Sequence, residues 1–191
     1  MSTPSPVEAV VIGCSAGGLQ ALHILLGGLR ADFRPALVVV CHTSERDIGM
    51  MHSMLDRACA LPVVEAQERV PVRGNSVYVA PPGYHLLIEP DRRFGLSIDP
   101  RVCYVRPAID VLFESAADAY GAGLVGVVLT GANEDGARGL KAIRAHGGRA
   151  VVQDPRTAEF STMPGTALAW SGADHIVSLE EIAPLLNALA T

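Results

Sequence analysis

The chain reads as an α/β protein, a doubly wound and mostly parallel sheet with helices on both faces and a β-hairpin near the active site. Three observations predict this. Apolar runs at residues 7–12, 36–41 and 124–129 are rich in β-branched side chains and lack polar alternation, as strands buried on both faces do. Segments with apolar residues at helical spacing separate the runs, and that alternation implies a parallel sheet. Each run also stops abruptly at a polar or glycine-flanked residue, and in such sheets sites form beyond the carboxyl ends of the strands.

In order, the run 7–12 ends in Gly13-Cys-Ser-Ala-Gly-Gly18, and Leu19, Leu22, Leu25, Leu26 and Leu29 then recur at helical spacing. Residues 36–41 form a second buried strand that ends at His42, followed by polar residues 43–46. Met50, Met51, Met54, Leu55 and Ala58 predict a short helix against the core, and 61–64 a brief strand. A strand is expected over 76–80, closed by Pro81-Pro-Gly83. Residues 85–89 and 94–98, split by Pro90-Asp-Arg-Arg93, read as a hairpin at the sheet margin, where it could wall a cleft. Helical faces follow at 110–120 and through Leu140 and Ile143, with strands at 124–129 and 149–153. Residues 179–189 predict a closing amphipathic helix.

At 191 residues the chain suits one domain, 1–191, with a short flexible tail over 1–6. Hydrophobic residues make 49% and charged ones 18%, a balance that argues for a globular chain. The net charge is -5, so nonspecific nucleic-acid binding is not expected, because the phosphate term needs a basic field. The start lacks the basic and apolar regions of a signal peptide, and no apolar run approaches the ~18 residues that span a bilayer. A cytoplasmic protein without membrane insertion is the expectation. Cys14, Cys41, Cys59 and Cys103 lack C-x-x-C spacing, which favours reduced thiols over a zinc site or disulfides. No metal or cofactor is expected.

Gly13-Cys-Ser-Ala-Gly17 matches G-x-S-x-G, in which a sharp strand-to-helix turn lifts a serine hydroxyl above the sheet. A nucleophile, a ligand loop and a plain turn all fit these five residues. The dinucleotide fingerprint fails because Ser15 stands at its second glycine, and no Lys-Ser/Thr pair follows for a P-loop. Cys14 is a poor nucleophile, since strand alternation turns it away from Ser15. Of the histidines only His42 caps a core strand. Asp135 and Asp154 both end strands, and spacing does not choose between them. A serine needs a base, and the base needs a carboxylate to fix its tautomer, so these strand ends hold the parts of a Ser, His, Asp triad.

Six segments in order resemble the catalytic domain of the bacterial chemotaxis protein-glutamate methylesterase. They are Ile12-Gly-Cys-Ser-Ala-Gly-Gly18, the strand ending in His42, Tyr78-Val-Ala-Pro-Pro-Gly-Tyr-His85, residues 106–115, residues 128–137, and Gln153-Asp-Pro155 with Met163-Pro164. The resemblance implies a cytoplasmic hydrolase that demethylates glutamate methyl esters on chemoreceptors and deamidates receptor glutamines. It implies Ser15 as nucleophile, His42 as base and Asp135 as its partner, which favours Asp135 over Asp154. It also implies an oxyanion held by the backbone N–H groups of Ala16 and Ala132.

Arg106, Arg156 and Met163 are candidate substrate-binding residues. The partners implied are methyl-accepting receptors, with a separate response regulator or methyltransferase as further candidates. Two positions depart from the family pattern: Ala132 stands in place of a methionine and Ala16 in place of a common threonine. Family members commonly carry a receiver domain ahead of this one, whereas here the first strand begins near Val7, so gating by phosphorylation of the same chain is not expected. A non-catalytic signalling module and a general small-ester hydrolase are the alternatives.

Overall fold

A computed structural model describes residues 5–42 and 48–191. The expected polar stretch 43–46 and most of the expected tail lie outside the described residues. The chain runs β1 (Ala9–Cys14), α1 (Gly18–Gly27), β2 (Ala36–Cys41), α2 (Ile48–Ala58), β3 (Val63–Glu65), β4 (Val77–Val79), the hairpin β5 (His85–Ile88) and β6 (Phe94–Ser97), and α3 (Ile109–Tyr120). It continues with β7 (Leu124–Val128), α4 (Ala137–Ala145), β8 (Arg149–Gln153), α5 (Thr162–Ser171), β9 (His175–Val177) and α6 (Leu179–Leu189).

Seven strands form one sheet in the order β3-β4-β2-β1-β7-β8-β9, and each of its pairs is parallel. Alternation along each central strand divides its side chains between two cores. Val10, Ile12, Leu37 and Val39 pack with Leu22, Leu25, Leu55, Ile182 and Leu186 from α1, α2 and α6. Val11, Val38, Val40 and Val128 face Ile109, Phe113, Leu140, Ile143 and Ala167 from α3, α4 and α5, together with Leu86 and Phe94 of the hairpin. Burial of a large apolar side chain contributes about 1.5–3 kcal/mol, so neither face can be exposed cheaply, and the chain is doubly wound as its pattern predicts. From β1 and β7 the chain turns to opposite faces, into α1 and α4, which opens a crevice beyond their carboxyl ends.

The hairpin forms its own two-stranded antiparallel sheet. His85, buried in it, ties it to the first turn of α3: its Nδ1 accepts the Ala108 N–H at 3.2 Å and its Nε2 donates to the Pro100 carbonyl at 3.1 Å.

Two elements escape the sequence reading. Helix α5 carries Pro164 and Gly165 in its first turn and buries only Met163, Pro164 and Ala167, too few to display a periodic face. Strand β9 has three residues at the sheet edge with Ile176 exposed, too short and too wet for a strand pattern. In α2, Met51 and Leu55 are buried as expected, but Met50 is 60% exposed and lies off the core.

Candidate active site

Ser15, His42 and Asp135 follow the carboxyl ends of β1, β2 and β7, three neighbours in the sheet. At the first end, the Ser15 N–H donates to the Thr130 carbonyl and the Ser15 carbonyl accepts from Gly18, so the turn is pinned on both sides. Gly17 has φ +74, a left-handed conformation that a side chain would resist. Gly13 allows close approach of another kind, since a Cβ there would collide with the Ile109 side chain and push α3 off β1. The His42 N–H donates to the Cys14 carbonyl at 3.0 Å, which seats the histidine beside the serine turn. Ser15, Cys41 and His42 line one cavity of about 380 Å³ with Leu19, Met51 and Met54.

Asp135 is fully buried, and both of its oxygens are committed. Oδ2 accepts from His42 Nε2 at 2.9 Å and from the Ile109 N–H at 2.6 Å, while Oδ1 accepts from the Asp110 N–H at 2.9 Å. The N-cap residue of α3, Ala108, offers no side-chain acceptor, so Asp135 serves the first turn of that helix from across the structure. Both N–H groups lie at the positive end of α3 and point at the carboxylate. The relation is reciprocal: Asp110 Oδ1 accepts the Gly136 and Gly139 N–H groups at 3.0 and 2.7 Å and so caps α4. Burial, with the neighbouring Asp135 charge adding to it, pushes the Asp110 carboxyl up to about 6.

With Nε2 donating to Asp135, the lone pair of neutral His42 lies on Nδ1, a tautomer assigned from the hydrogen bonds. Asn133 Nδ2 lies 3.3 Å from that atom, and Asn133 Oδ1 accepts the Asp135 N–H. Thr130 links the loops: its N–H donates to Gln153 Oε1, and its hydroxyl donates to the Ala16 carbonyl and accepts the Phe160 N–H. Among the described residues, neither the Ala16 nor the Ala132 N–H has an acceptor. Asp110, Asn133, Thr130 and Gln153 were not legible as site residues. Asn133, two residues before Asp135 as in an Asx turn, carried the one local signal.

Asp135, not Asp154, stands against His42. Asp154 pairs with Arg156 at 2.6 Å, and that guanidinium holds its carboxyl below the usual range. Cys14 is fully buried with its thiol against Cys41, a contact that together with burial pushes the Cys14 thiol up and away from nucleophilic use. The three candidate substrate contacts are placed differently from one another. Met163 is 1% exposed and packs beneath Gly131, whose carbonyl accepts the Met163 N–H, so it supports the loop rather than lining the cleft. Arg106 Nη1 donates to the Ile98 and Asp99 carbonyls and braces the segment after the hairpin. Arg156 remains 88% exposed beside Asp154.

One cluster of metal-ligating types occurs among the described residues, Cys103 with Asp110 and Asp135, whose ligand atoms lie within 4.8 Å. Its oxygens are occupied by the helix N–H groups and His42, and Arg138 is 3.8 Å from the remaining Asp110 oxygen. The arrangement is that of a helix junction.

The structure is that of an α/β protein whose serine turn and buried His–Asp pair meet at one cavity, the residue types that serine-dependent acyl transfer requires. A family model described as CheB methylesterase matches residues 10–186, and the chain belongs to that family. A relative from Leptospira interrogans, provisionally named a protein-glutamate methylesterase/protein-glutamine glutaminase, is 49% identical over 182 residues, 95% of this chain and 94% of its own. The Myxococcus xanthus protein-glutamate methylesterase FrzG is 36% identical over 184 residues, which make 96% of this chain and 55% of FrzG. The crystal structure of the Thermotoga maritima CheB methylesterase catalytic domain superposes with a TM-score of 0.92 at 29% identity, covering 97% of this chain and 100% of that one.

Among the described residues no helix is long and apolar enough to cross a membrane.

Proposed function

We propose that this domain is a serine carboxylester hydrolase that removes methyl groups from glutamyl methyl esters of chemoreceptors, with Ser15 as nucleophile, His42 as base and Asp135 as the acid that orients the base. The observation that carries the reading is the 2.9 Å bond from His42 Nε2 to a carboxylate buried completely and fixed by two helix N–H groups. Asp135 keeps the Nε2 proton in place, so the Nδ1 lone pair, which the Asn133 amide approaches at 3.3 Å, is the acceptor for the Ser15 proton once Asn133 gives way and Oγ attacks the ester carbonyl. The oxygen turns anionic as the tetrahedral species forms, and the unpaired N–H groups of Ala16 and Ala132 are its donors; one such donor is worth roughly 2.7–4 kcal/mol.

The imidazolium then returns the proton to the departing methoxide, which leaves as methanol. Water, deprotonated by the same nitrogen, hydrolyses the glutamyl-serine ester and restores Ser15. A glutamine side chain can follow the same course, with ammonia leaving. Receptors, a separate response regulator or methyltransferase, and a cytoplasmic location belong to this reading as the setting in which such a substrate is met.

The test is methanol release from methylated receptors by the purified protein. Release by the wild type and none by Ser15→Ala is the expected result. Release that survives Ser15→Ala overturns the mechanism.

A further inference from the structure

Between the hairpin and α3 the chain makes a second, smaller reversal. Val102 and Val105 exchange both backbone hydrogen bonds, N–H to carbonyl at 3.1 and 3.0 Å, around only two residues, Cys103 and Tyr104. Both have positive φ, 50° and 65°, the type I′ pattern for which Asn-Gly is the favoured pair and which Cys and Tyr resist sterically.

The reversal is braced from several directions. His85 Nε2 holds the Pro100 carbonyl, Arg106 Nη1 holds those of Ile98 and Asp99, and Arg101 Nη1 reaches the Tyr104 carbonyl. On one side of the tip the Cys103 thiol lies within 4.8 Å of the Asp110 and Asp135 carboxylates. On the other, Tyr104 is 94% exposed.

A single exposed aromatic residue is ordinary. One held on consecutive left-handed residues, one residue from the buried carboxylate of the site, is not: such strain persists only where the surrounding structure enforces it, and it gathers at functional positions. Among the described residues the ring packs on almost nothing, so the fold gains little from it, and a glycine would make the turn more easily. A tyrosine there offers a broad amphipathic face at low entropic cost, the chemistry of an interface anchor.

We propose that Tyr104 is a specificity-determining residue for the protein substrate, packing against the receptor segment that flanks the scissile ester. This rests on the methylesterase reading above. Tyr104 does not line the cavity at Ser15, so on this proposal a small ester held there leaves the ring untouched, whereas a receptor helix presenting its ester to Ser15 would lay neighbouring side chains along it.

The experiment compares wild type, Tyr104→Ala and Tyr104→Gly on two substrates, membrane vesicles carrying a methylated receptor and p-nitrophenyl acetate, with thermal melts of each variant. KM for the receptor should rise about five- to thirty-fold, the cost of truncating an interface anchor, with aryl ester turnover unchanged. Tyr104→Gly should melt at or above the wild-type temperature, because glycine adopts the left-handed conformation freely, so a lost receptor preference is not a folding defect. Equal effects on both substrates, or none on either, overturn the inference while leaving the methylesterase reading intact. A wild type that hydrolyses the aryl ester but releases no methanol from the receptor overturns that reading and this one with it.

Discussion

Asp135 leaves β7 with both carboxylate oxygens committed to His42 and to the N–H groups of Ile109 and Asp110, whereas Ser15 leaves the adjacent β1 with its backbone pinned and, among the described residues, its hydroxyl unbonded. The acid is fixed before any substrate arrives. The proposed nucleophile keeps a free rotor, as a group must that is to donate to His42 in one step and bond to carbon in the next. In the proposed mechanism the acid end therefore couples rate to stability, while the serine end carries rate alone.

The sharpest way to break this comparison is Ser15→Ala. Ester hydrolysis should fall by about 10⁶ with the melting temperature unmoved, since one partly exposed hydroxyl is lost and no packing; a large drop in melting temperature would contradict the serine half. Asp135→Asn comes next. It should cost about 10⁴ in kcat, by fixing the wrong imidazole tautomer, and also about 1–3 kcal/mol in urea unfolding, because an amide NH₂ would face a helix N–H or the His42 proton. Loss of rate with stability intact would show that the acid end is not coupled as described.

Asp110→Asn sharpens the comparison through pH. The native carboxyl titrates near 6 because of its burial, above the ~3.9 of an unfolded aspartate, so the native state holds this proton more tightly. Its contribution to stability is therefore full below pH ~4 and is lost as pH rises towards 6. Removing the titration should shift the stability difference between variant and wild type by up to about 3 kcal/mol in favour of Asp110→Asn from pH 4 to pH 7, read from urea melts at each pH. The smallest effect is expected from Ala132→Met, less than about threefold in kcat on an aryl ester, because the proposed oxyanion donor there is a backbone N–H that any side chain retains. A fall of a hundredfold would remove Ala132 from that role.

The legible parts of this molecule are those with local causes. Residues 36–41, 149–153 and 179–189 match their elements at both ends, because a β-branched run between turns, or a periodic apolar face, is complete within one window. Ser15 and His42 could be found because each ends such a run. Asp135 against Asp154 could not be decided from spacing, since the choice depends on which strand lies beside β1, a property of the whole sheet order. Asp110 was hidden for the same reason. It reads as an ordinary first-turn acid of α3, and its carboxylate acquires a role only when Gly136 and Gly139, a strand and a loop later, arrive beneath it. The strain at Cys103 and Tyr104 left no trace in composition or periodicity.

The exchange of carboxylates between α3 and α4 has a consequence for motion. Asp135, just ahead of α4, holds the first turn of α3, and Asp110 of α3 holds that of α4, so neither end frays alone, and the amides of Ile109, Asp110, Gly136 and Gly139 should become accessible to deuterium through one shared opening with a common protection free energy. That opening also frees His42 from its acid. Hydrolysis is then a property of molecules in which the clasp is shut, and warming or mild urea should silence the protein while its central strands are still protected.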